Sequence, residues 1–277
     1  MRWALALLLL LSVAHADFLL ERVDVRVSDI QDDGSAKVHE SIRFIMIGDY
    51  AQALYDSGFS NNDLAFWSTA TDLKDVKKHV NPEKGEVKEF RLRPQPRTSC
   101  NPIQGTCHGE LILDYWVYPS YNISEDGRTR TPLSDSGLFD VERYKPRTAR
   151  LTINPEALAF TKTEQGNIII DDNVYLIVEL PQESLTLDVN PLPIGMEVDL
   201  PARVDEFEWS DMILVRFTLE FEVENSLDKE VGEFFSDLLW WVVSSINSPH
   251  GYALVLMLAI LVGAYIYINI SKRKMED

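Results

Sequence analysis

The sequence predicts a mainly β protein with antiparallel, sandwich-like exterior domains and short helices, followed by one C-terminal transmembrane helix. Three observations predict this class. Apolar and polar residues alternate with a period of two along most of the chain, whereas helical periodicity is confined to short stretches. A run of 19 uncharged, largely apolar residues lies near the C-terminus.

The composition excludes several classes of protein. The 277 residues include 26 Lys and Arg against 44 Asp and Glu, which gives a net charge of -18, and 45% of the residues are hydrophobic. Such a chain is too apolar for a disordered acidic tail and too varied for a coiled coil or collagen. A polyanion needs a basic surface, so we expect no nucleic-acid partner.

Residues 1–16 have the three parts of a secretory signal peptide. Met1 and Arg2 form a short positive region, an apolar stretch follows, and Ala14 and Ala16 supply the small residues that a signal peptidase reads. We predict cleavage before Asp17. An uncleaved anchor helix is the alternative, but the apolar run is shorter than the ~20 residues that span a bilayer.

The second apolar run, residues 252–270, is long enough to cross a membrane and is followed at once by Lys272, Arg273 and Lys274. By the positive-inside rule, the tail 271–277 is cytoplasmic and the N-terminal part is extracytoplasmic. We therefore predict a type I single-pass protein of the cell membrane. A buried core helix is the alternative interpretation.

Period-two patterns predict the strands of the exterior part. A first β-rich domain is expected over residues 17–119 and opens with a hairpin, in which the turn Asp32-Asp33-Gly34 follows the alternating Val23, Val25 and Val27. A loop or linker is expected over 120–144 and a second β-rich domain over 145–225. Further strands are predicted at 86–93, 110–118, 148–153, 168–170, 174–180, 185–189 and 212–223.

Three short helical segments are expected among these strands. They cover residues 50–55, 62–69 and 155–160, and the last begins with Asn154 as its cap and Pro155 in its first turn. Asn122 begins the sequon Asn-Ile-Ser within the predicted linker and is a glycosylation candidate.

An amphipathic helix is predicted over residues 227–247, between the last strand and the membrane. Phe234, Leu238 and Trp241 lie on one face, which we expect either in the lipid headgroup region or packed on the exterior domain. Gly263 is a small residue in an otherwise bulky span, where a neighbouring helix could approach. The expected partners are membrane lipid and either a second membrane protein or another copy of the chain.

The two cysteines, Cys100 and Cys107, are expected to form a disulfide. Six residues separate them in the sequence, and we expect them on the extracytoplasmic side, where oxidising conditions favour disulfides. A metal site built from both thiolates and His108 is the alternative, but no further cluster of Cys or His completes four ligands. We therefore predict no metal and no cofactor.

Two motifs suggest catalysis or metal binding but have simpler interpretations. The segment from Asp29 to Glu40 has the spacing of a calcium loop, yet strand-like patterns flank it and a plain hairpin turn is favoured. Asp56 and Asp135 each begin an Asp-Ser-Gly triplet, as in aspartic proteases, but this triplet is also common in turns. We predict no catalytic residues and no enzyme activity.

The predicted role is therefore binding or envelope structure, as an accessory subunit or surface protein. The alternatives are a membrane-anchored extracytoplasmic hydrolase and a sensor subunit that relays a signal through a partner. A tail of seven residues is too short to hold a signalling domain of its own.

The residues 18–44, FLLERVDVRVSDIQDDGSAKVHESIRF, resemble the start of an uncharacterised family of bacterial and archaeal membrane proteins. Residues 174–193 and 207–224 also resemble archaeal surface domains, in which a strand ending in Leu-Pro precedes a strand containing Trp. The resemblance implies a signal peptide, a β-rich exterior module, a C-terminal membrane span and a prokaryotic source. It implies no particular activity.

Overall fold

The computed structural model describes residues 17–123, 130–132, 136–145 and 148–224. The described part is mainly β, with 53% of the described residues in strands and two short α-helices, as the sequence predicts. The described strands form a large sheet of eight strands, a second sheet of four strands and a separate two-stranded ribbon.

The N-terminal hairpin forms as its alternating pattern predicts. Strand β1 (Asp17–Ser28) pairs antiparallel with β2 (Ala36–Ile47), and the inward side chains of both strands are buried. The turn between them is stabilised by Asp33, whose Oδ1 accepts hydrogen bonds from the backbone N–H and the hydroxyl of Ser35. Gly34 is required there because its φ is +85° and a Cβ would lie 2.7 Å from the Phe139 carbonyl oxygen.

Two helices follow this hairpin and cover one end of the core. They are α1 (Gly48–Gly58) and α2 (Leu64–Thr71), and the Asp63 side chain caps α2 by accepting a hydrogen bond from the Ala65 N–H. Tyr55 of α1 and Trp67 of α2 are fully buried with their ring centroids 5.2 Å apart. Large aromatic surfaces therefore hold both helices against the sheet.

The large sheet has the order β10-β11-β1-β2-β5-β3, with β13 paired to β11 and β4 paired to β5. Its remaining strands are β3 (Glu86–Pro94), β4 (Thr98–Asn101), β5 (Thr106–Tyr118), β10 (Thr161–Lys162), β11 (Ile168–Glu179) and β13 (Glu206–Leu214). We call the two sides of this sheet the inner face, which is buried against the core, and the outer face.

The second sheet has the order β12-β14-β9-β8. Its strands are β8 (Phe139–Lys145), β9 (Thr148–Ile153), β12 (Leu185–Asn190) and β14 (Thr218–Glu224), and the separate ribbon consists of β6 (Tyr121–Ile123) and β7 (Arg130–Pro132). A 3-10 turn over Pro155–Ala157 begins at Asn154, whose side chain accepts a hydrogen bond from the Glu156 N–H. The predicted cap at Asn154 is therefore confirmed.

Strands from distant parts of the sequence meet in the large sheet. Strand β1 pairs in parallel with β11, so that Val23 lies opposite Val174. The described residues form one compact unit that ends at Glu224, with a continuous core of buried apolar side chains. Strands from both sides of the predicted linker at 120–144 thus belong to the same sheet.

The single strand predicted over residues 212–223 is wrong, because the chain turns in the middle of it. Strand β13 ends at Leu214 and β14 begins at Thr218, in the other sheet. Arg216, between them, has a φ of 51° and redirects the chain. Ile213 and Val215, which the alternating pattern places inward, are each 50% exposed, whereas Leu214 is buried, so the alternation in the sequence does not match the buried face at this end of β13.

Within the described residues, no helix combines the length and apolar character needed to cross a membrane. The predicted signal peptide 1–16, the amphipathic helix 227–247, the span 252–270 and the tail 271–277 lie outside those residues.

Candidate functional site

A hairpin closed by a disulfide projects from one end of the large sheet. Cys100 and Cys107 are bonded to each other, as the sequence predicts. The Gly105 carbonyl oxygen, in the same hairpin, accepts hydrogen bonds from the Gly48 N–H at 2.8 Å and from Gln52 Nε2 at 3.0 Å. Ile103, at the tip, is 96% exposed. The hairpin is thus attached to α1 and presents an apolar side chain to solvent.

The bonded sulfur atoms exclude the alternative metal site, since neither cysteine is available as a thiolate. His108, the third ligand in that alternative, instead lies with Nδ1 2.8 Å from Glu21 Oε2. Glu21 occupies a bulge in β1, where the register with β2 shifts between Leu20 and Arg22. Bulges redirect side chains, and this one brings Glu21 to His108.

A cavity of about 480 Å³ lies beside the hairpin, and its size suits a small ligand. Arg43 lines it and donates from Nη2 to Asp24 Oδ2 at 2.9 Å, while Glu110 lines it and accepts from the Ser41 hydroxyl at 2.6 Å. Glu21, Gln95, Pro96, Thr98, Ser99, His108 and Gly109 complete the lining. Within the described residues, no hydrogen bond joins the Thr98 or Ser99 hydroxyl to His108.

The outer face of the large sheet carries a network of ion pairs. Arg26 pairs with Glu179 and, at 2.8 Å, with Glu206, which joins β1 to residues of β11 and β13. His39 Nδ1 lies 2.8 Å from Asp114 Oδ1, which joins β2 to β5. These contacts cross the sheet at several places, so this face combines both signs of charge despite the acidity of the whole chain.

A buried polar cluster that was not predicted from the sequence lies on the inner face. Glu40 and His79 are both fully buried, and Glu40 accepts from the His79 backbone N–H at 2.9 Å and from Nδ1 at 2.8 Å. The Tyr115 hydroxyl also donates to Glu40. Asp75 Oδ1 lies 4.0 Å from His79 Nε2. One signal for this cluster was available, since Glu40 occupies an inward position in the alternating pattern of β2.

Burial and charge act in opposite directions on this cluster. Burial lowers the pKa of His79, but the charge of Glu40 and polar contacts with Asp75 and Glu40 outweigh it, and the pKa is raised. Burial raises the pKa of Asp75, whereas His79 and nearby lysines lower it, with a net decrease. Burial and the charge of Glu40 together hold the pKa of Tyr115 well above its ordinary value. The cluster therefore favours a charged His79 between two carboxylates.

The other candidate motifs have structural roles where they are described. The segment that resembles a calcium loop is the β1–β2 turn, and there Lys37 Nζ lies 3.7 Å from Asp29 Oδ2. Within the described residues, no group of three or more metal-ligating side chains comes together. Asp56 lies in α1 and pairs with Arg97 at 2.9 Å, while Asp135 is outside the described residues.

Of the remaining sites predicted from the sequence, one lies in a described strand and four lie outside the described residues. Asn122 lies in β6 of the two-stranded ribbon. The four partner-binding candidates, Phe234, Leu238, Trp241 and Gly263, lie outside the described residues.

The described residues thus define a mainly β protein with two sheets, an ion-paired outer face and a disulfide-closed hairpin. No family model matches the chain, and no curated protein matches it.

Three solved structures show distant likeness. Leukotriene A4 hydrolase from Saccharomyces cerevisiae is 8% identical with a TM-score of 0.30, over 74% of this chain and 29% of that one. Aminopeptidase A from Legionella pneumophila is 9% identical with a TM-score of 0.26, over 77% of this chain and 22% of that one. The folded domain of LppM from Mycobacterium tuberculosis is 11% identical with a TM-score of 0.21, over 76% of this chain and 92% of that one.

The chain therefore spans less than a third of the length of leukotriene A4 hydrolase and of aminopeptidase A. TM-scores of this size do not establish a shared fold.

Proposed function

We propose that this chain is a type I single-pass protein of the cell membrane that presents an acidic β-rich module on the extracytoplasmic side. The two sheets form a sandwich, and the module works as an accessory binding subunit or as a structural part of the envelope. The sequence supports this location. Residues 1–16 have the pattern of a signal peptide, and the apolar run 252–270 is followed at once by cations, so the two patterns indicate the same orientation in the membrane.

The observation that carries the binding role is the exposed Ile103 on its disulfide-closed hairpin. A loop that only connects two strands needs neither a covalent closure nor an apolar tip. Because the closed hairpin loses little conformational freedom on binding, contact with a partner costs less entropy than contact through an open loop. An isoleucine in this position suits a small apolar pocket on another protein.

Membrane topology is the first test of this proposal. The full chain should begin at Asp17, resist carbonate extraction and lose its exterior part to protease added to intact cells, while the tail stays protected. An exterior part that resists protease in intact cells, yet is digested after lysis, contradicts the orientation.

The binding role is tested by exchanging Ile103 for Asp in the full chain. Complexes isolated in mild detergent after crosslinking should lose a partner band in Ile103→Asp. Ile194→Asp is the matched control, because Ile194 is 76% exposed on a different loop. Equal crosslinking in both variants and in the original chain contradicts a role for the hairpin.

The membrane segments are proposed to contact lipid and either a second membrane protein or another copy of the chain. Gly263 allows close approach of a helix in the span, and Leu238 lies on the apolar face of the segment before it. Gly263→Leu combined with Leu238→Asp should reduce the size of the assembly in mild detergent without unfolding the β module. Unchanged assembly would leave the span as an anchor in lipid.

A membrane-anchored hydrolase is the second candidate function. The Glu21–His108 pair at the edge of the 480 Å³ cavity is the observation that favours it, because such a pair can take up and release a proton. Hydrolysis of ester or glycoside substrates that is lost in His108→Gln, but kept in the control His39→Gln, would support this function over the first.

A further inference from the structure

A segment that includes one edge strand of the large sheet is basic in a chain that is otherwise acidic. Residues 74–97 contain eight of the 26 Lys and Arg residues but four Asp and Glu residues, whereas the whole chain has a net charge of -18. The segment includes the whole of β3, which pairs with β5 on one side and is the last strand in the order of the sheet. We call residues 74–97 the basic edge.

Charged side chains on an edge strand commonly prevent pairing with other chains, and this role accounts for part of the pattern. Several of the cations have carboxylate partners, such as Lys74 with Asp171 at 2.6 Å and Arg97 with Asp56 at 2.9 Å. Among the described residues, Arg91 has no ion-pair partner although it lies in the middle of β3 and is exposed. An unpaired guanidinium is available for a ligand.

A cavity of about 340 Å³ opens beside Arg91 on the outer face. It forms where β3 bulges, since the register with β5 shifts between Lys88 and Arg91 and Glu89 has a φ of 56°. The lining includes three cations and two carboxylates, which are Lys37, Arg91, Arg93, Glu89 and Asp114. Asp114 is paired with Arg93 and His39, and Lys37 lies 3.7 Å from Asp29, so Arg91 is the cation of this lining that has no ion-pair partner among the described residues. With three cations and two carboxylates, the lining carries a net charge of +1, which favours an anion.

An aromatic side chain lies between two lysines at this cavity. Trp116 lines it and lies opposite Lys37 of β2 and Lys88 of β3. The rings of Trp116 and Tyr118 are stacked with their centroids 6.1 Å apart, and Lys88 Nζ lies 5.1 Å from the Tyr118 ring centroid. A broad aromatic surface with cations on both sides suits a ligand that has an apolar face and an acidic group.

From these contacts we infer that the cavity at Trp116 binds an acidic sugar unit and that the basic edge binds the polysaccharide to which the unit belongs. The sugar ring packs on Trp116, and its carboxylate or sulfate accepts hydrogen bonds from Arg91 and Lys37. Because an extended strand rises ~3.3 Å per residue, the cations of β3 recur at a spacing that a linear polymer can follow. This inference rests on the proposed extracytoplasmic binding function.

Two other polyanions fit the site less well. Nucleic acid carries about one charge per 1.7 Å of duplex and needs a dense basic surface, which three cations beside two carboxylates do not provide. An anionic membrane presents a flat surface, whereas these cations come from two strands and line a cavity. A sparsely charged polymer with apolar sugar faces uses both the cations and the aromatic pair.

The test measures binding of the full chain, in neutral detergent, to polygalacturonate, to heparin and to uncharged dextran of similar length. We expect salt-dependent binding of at least one acidic polymer and none of dextran. Lys37→Glu with Arg91→Glu should weaken binding at least roughly tenfold, because a cation near an anionic surface is worth about a factor of five. Trp116→Ala should weaken binding as well, and Trp116→Phe should restore much of it.

The matched control is Lys162→Glu with Arg203→Glu, which makes the same change in net charge at exposed positions away from the basic edge. This variant should bind within about twofold of the original chain, since the two added charges lie away from the polymer. Equal losses in both double variants, no binding of either acidic polymer, or tighter binding of DNA or of phosphatidylglycerol vesicles would each overturn the inference.

The outcomes also separate this inference from the proposed function. Normal carbonate resistance and protease exposure, together with a failure to bind acidic polysaccharide, overturn the inference alone. A chain that fails the topology test but still binds the polymer through Arg91 and Trp116 supports the site and contradicts the proposed location.

Discussion

Glu40 and His79 are held together by two hydrogen bonds from the same histidine residue, one from its backbone N–H and one from its ring. Both side chains are fully buried, and the residues lie on different structural elements, since Glu40 belongs to β2 and His79 to the segment that precedes β3. This pair attaches an irregular segment to the inner face of the large sheet. Because both groups are shielded from water, loss of either one leaves the other without compensation.

Removal of the buried carboxylate should be strongly destabilising. Glu40→Ala leaves the His79 ring and the Tyr115 hydroxyl without their acceptor, and we expect a loss of about 3–5 kcal/mol in the free energy of unfolding. Urea unfolding of the full chain, followed by tryptophan fluorescence, measures this loss. Glu179→Gln is the control, because it removes an exposed partner of Arg26 and should cost less than about 1 kcal/mol. Similar losses in both variants would contradict the role of burial.

The stability that His79 provides should depend on pH in a defined direction. Its pKa is raised in the folded protein, so the contribution is fully present below the ordinary value of 6.5 and is lost as the pH rises through the raised pKa. We expect the difference in unfolding free energy between the original chain and His79→Gln to shrink as the pH rises above 6.5. A difference that stays constant or grows with pH would be inconsistent with a charged His79.

Asp75 should contribute to the pH dependence of the unfolding free energy in the acidic range. Its pKa is lowered in the folded protein, so its contribution is present above the ordinary value of 3.8 and is lost as the pH falls through the lowered pKa. Asp75→Asn should therefore reduce stability at neutral pH and have little effect in strong acid. The measurement is the urea midpoint of both chains from neutral to acidic pH, and an effect that is largest in acid would argue against this assignment.

The disulfide should stabilise the hairpin and the whole module. Closure of so short a loop is worth about 2–3 kcal/mol in the entropic account. We expect Cys100→Ser with Cys107→Ser to lose about that much and to become sensitive to protease between residues 101 and 106. The reduced original chain should match the double variant. Full protease resistance of the double variant would show that the contacts of Gly105 with α1 are sufficient by themselves.

A side chain at Gly109 should destabilise the protein, because this position faces three large residues of the core. A Cβ there would lie 2.7 Å from Phe44 and 3.1 Å from both Met46 and Tyr55. Gly109→Ala should cost about 1–3 kcal/mol through overpacking, as measured by urea unfolding. Phe44→Leu should also destabilise the protein, but the double variant should lose less than the sum of the two effects. Strict additivity would indicate that the two sites do not compete for space.

Most of the strands could be predicted because period-two patterns report which face of a strand is buried. The hairpin of β1 and β2 follows from such local signals. The pairing of β1 with β11 could not, since alternation specifies a face and not a neighbour. The break at Arg216 was missed because Ile213 and Val215 continue the apolar alternation up to it, although each is 50% exposed.

Some of the candidate sites could likewise be predicted from local sequence, whereas others depend on the tertiary structure. The disulfide followed from the spacing and location of Cys100 and Cys107. The polar cluster needed tertiary structure, because His79 lies in a segment without periodicity and reaches Glu40 only after the chain folds back. The cavity at Trp116 depends on the bulge at Glu89, and no local sequence pattern predicts that bulge.

The parallel pairing of β1 with β11 has a consequence for the time course of synthesis. The N-terminal hairpin emerges first, but the strand that covers its open edge at Val23 follows only roughly 150 residues later. Until then the backbone N–H and C=O groups along one edge of β1 are unpaired, and they can form hydrogen bonds with strands of other nascent chains. We therefore expect incomplete chains, in which β1 has no β11 beside it, to aggregate more readily than finished ones.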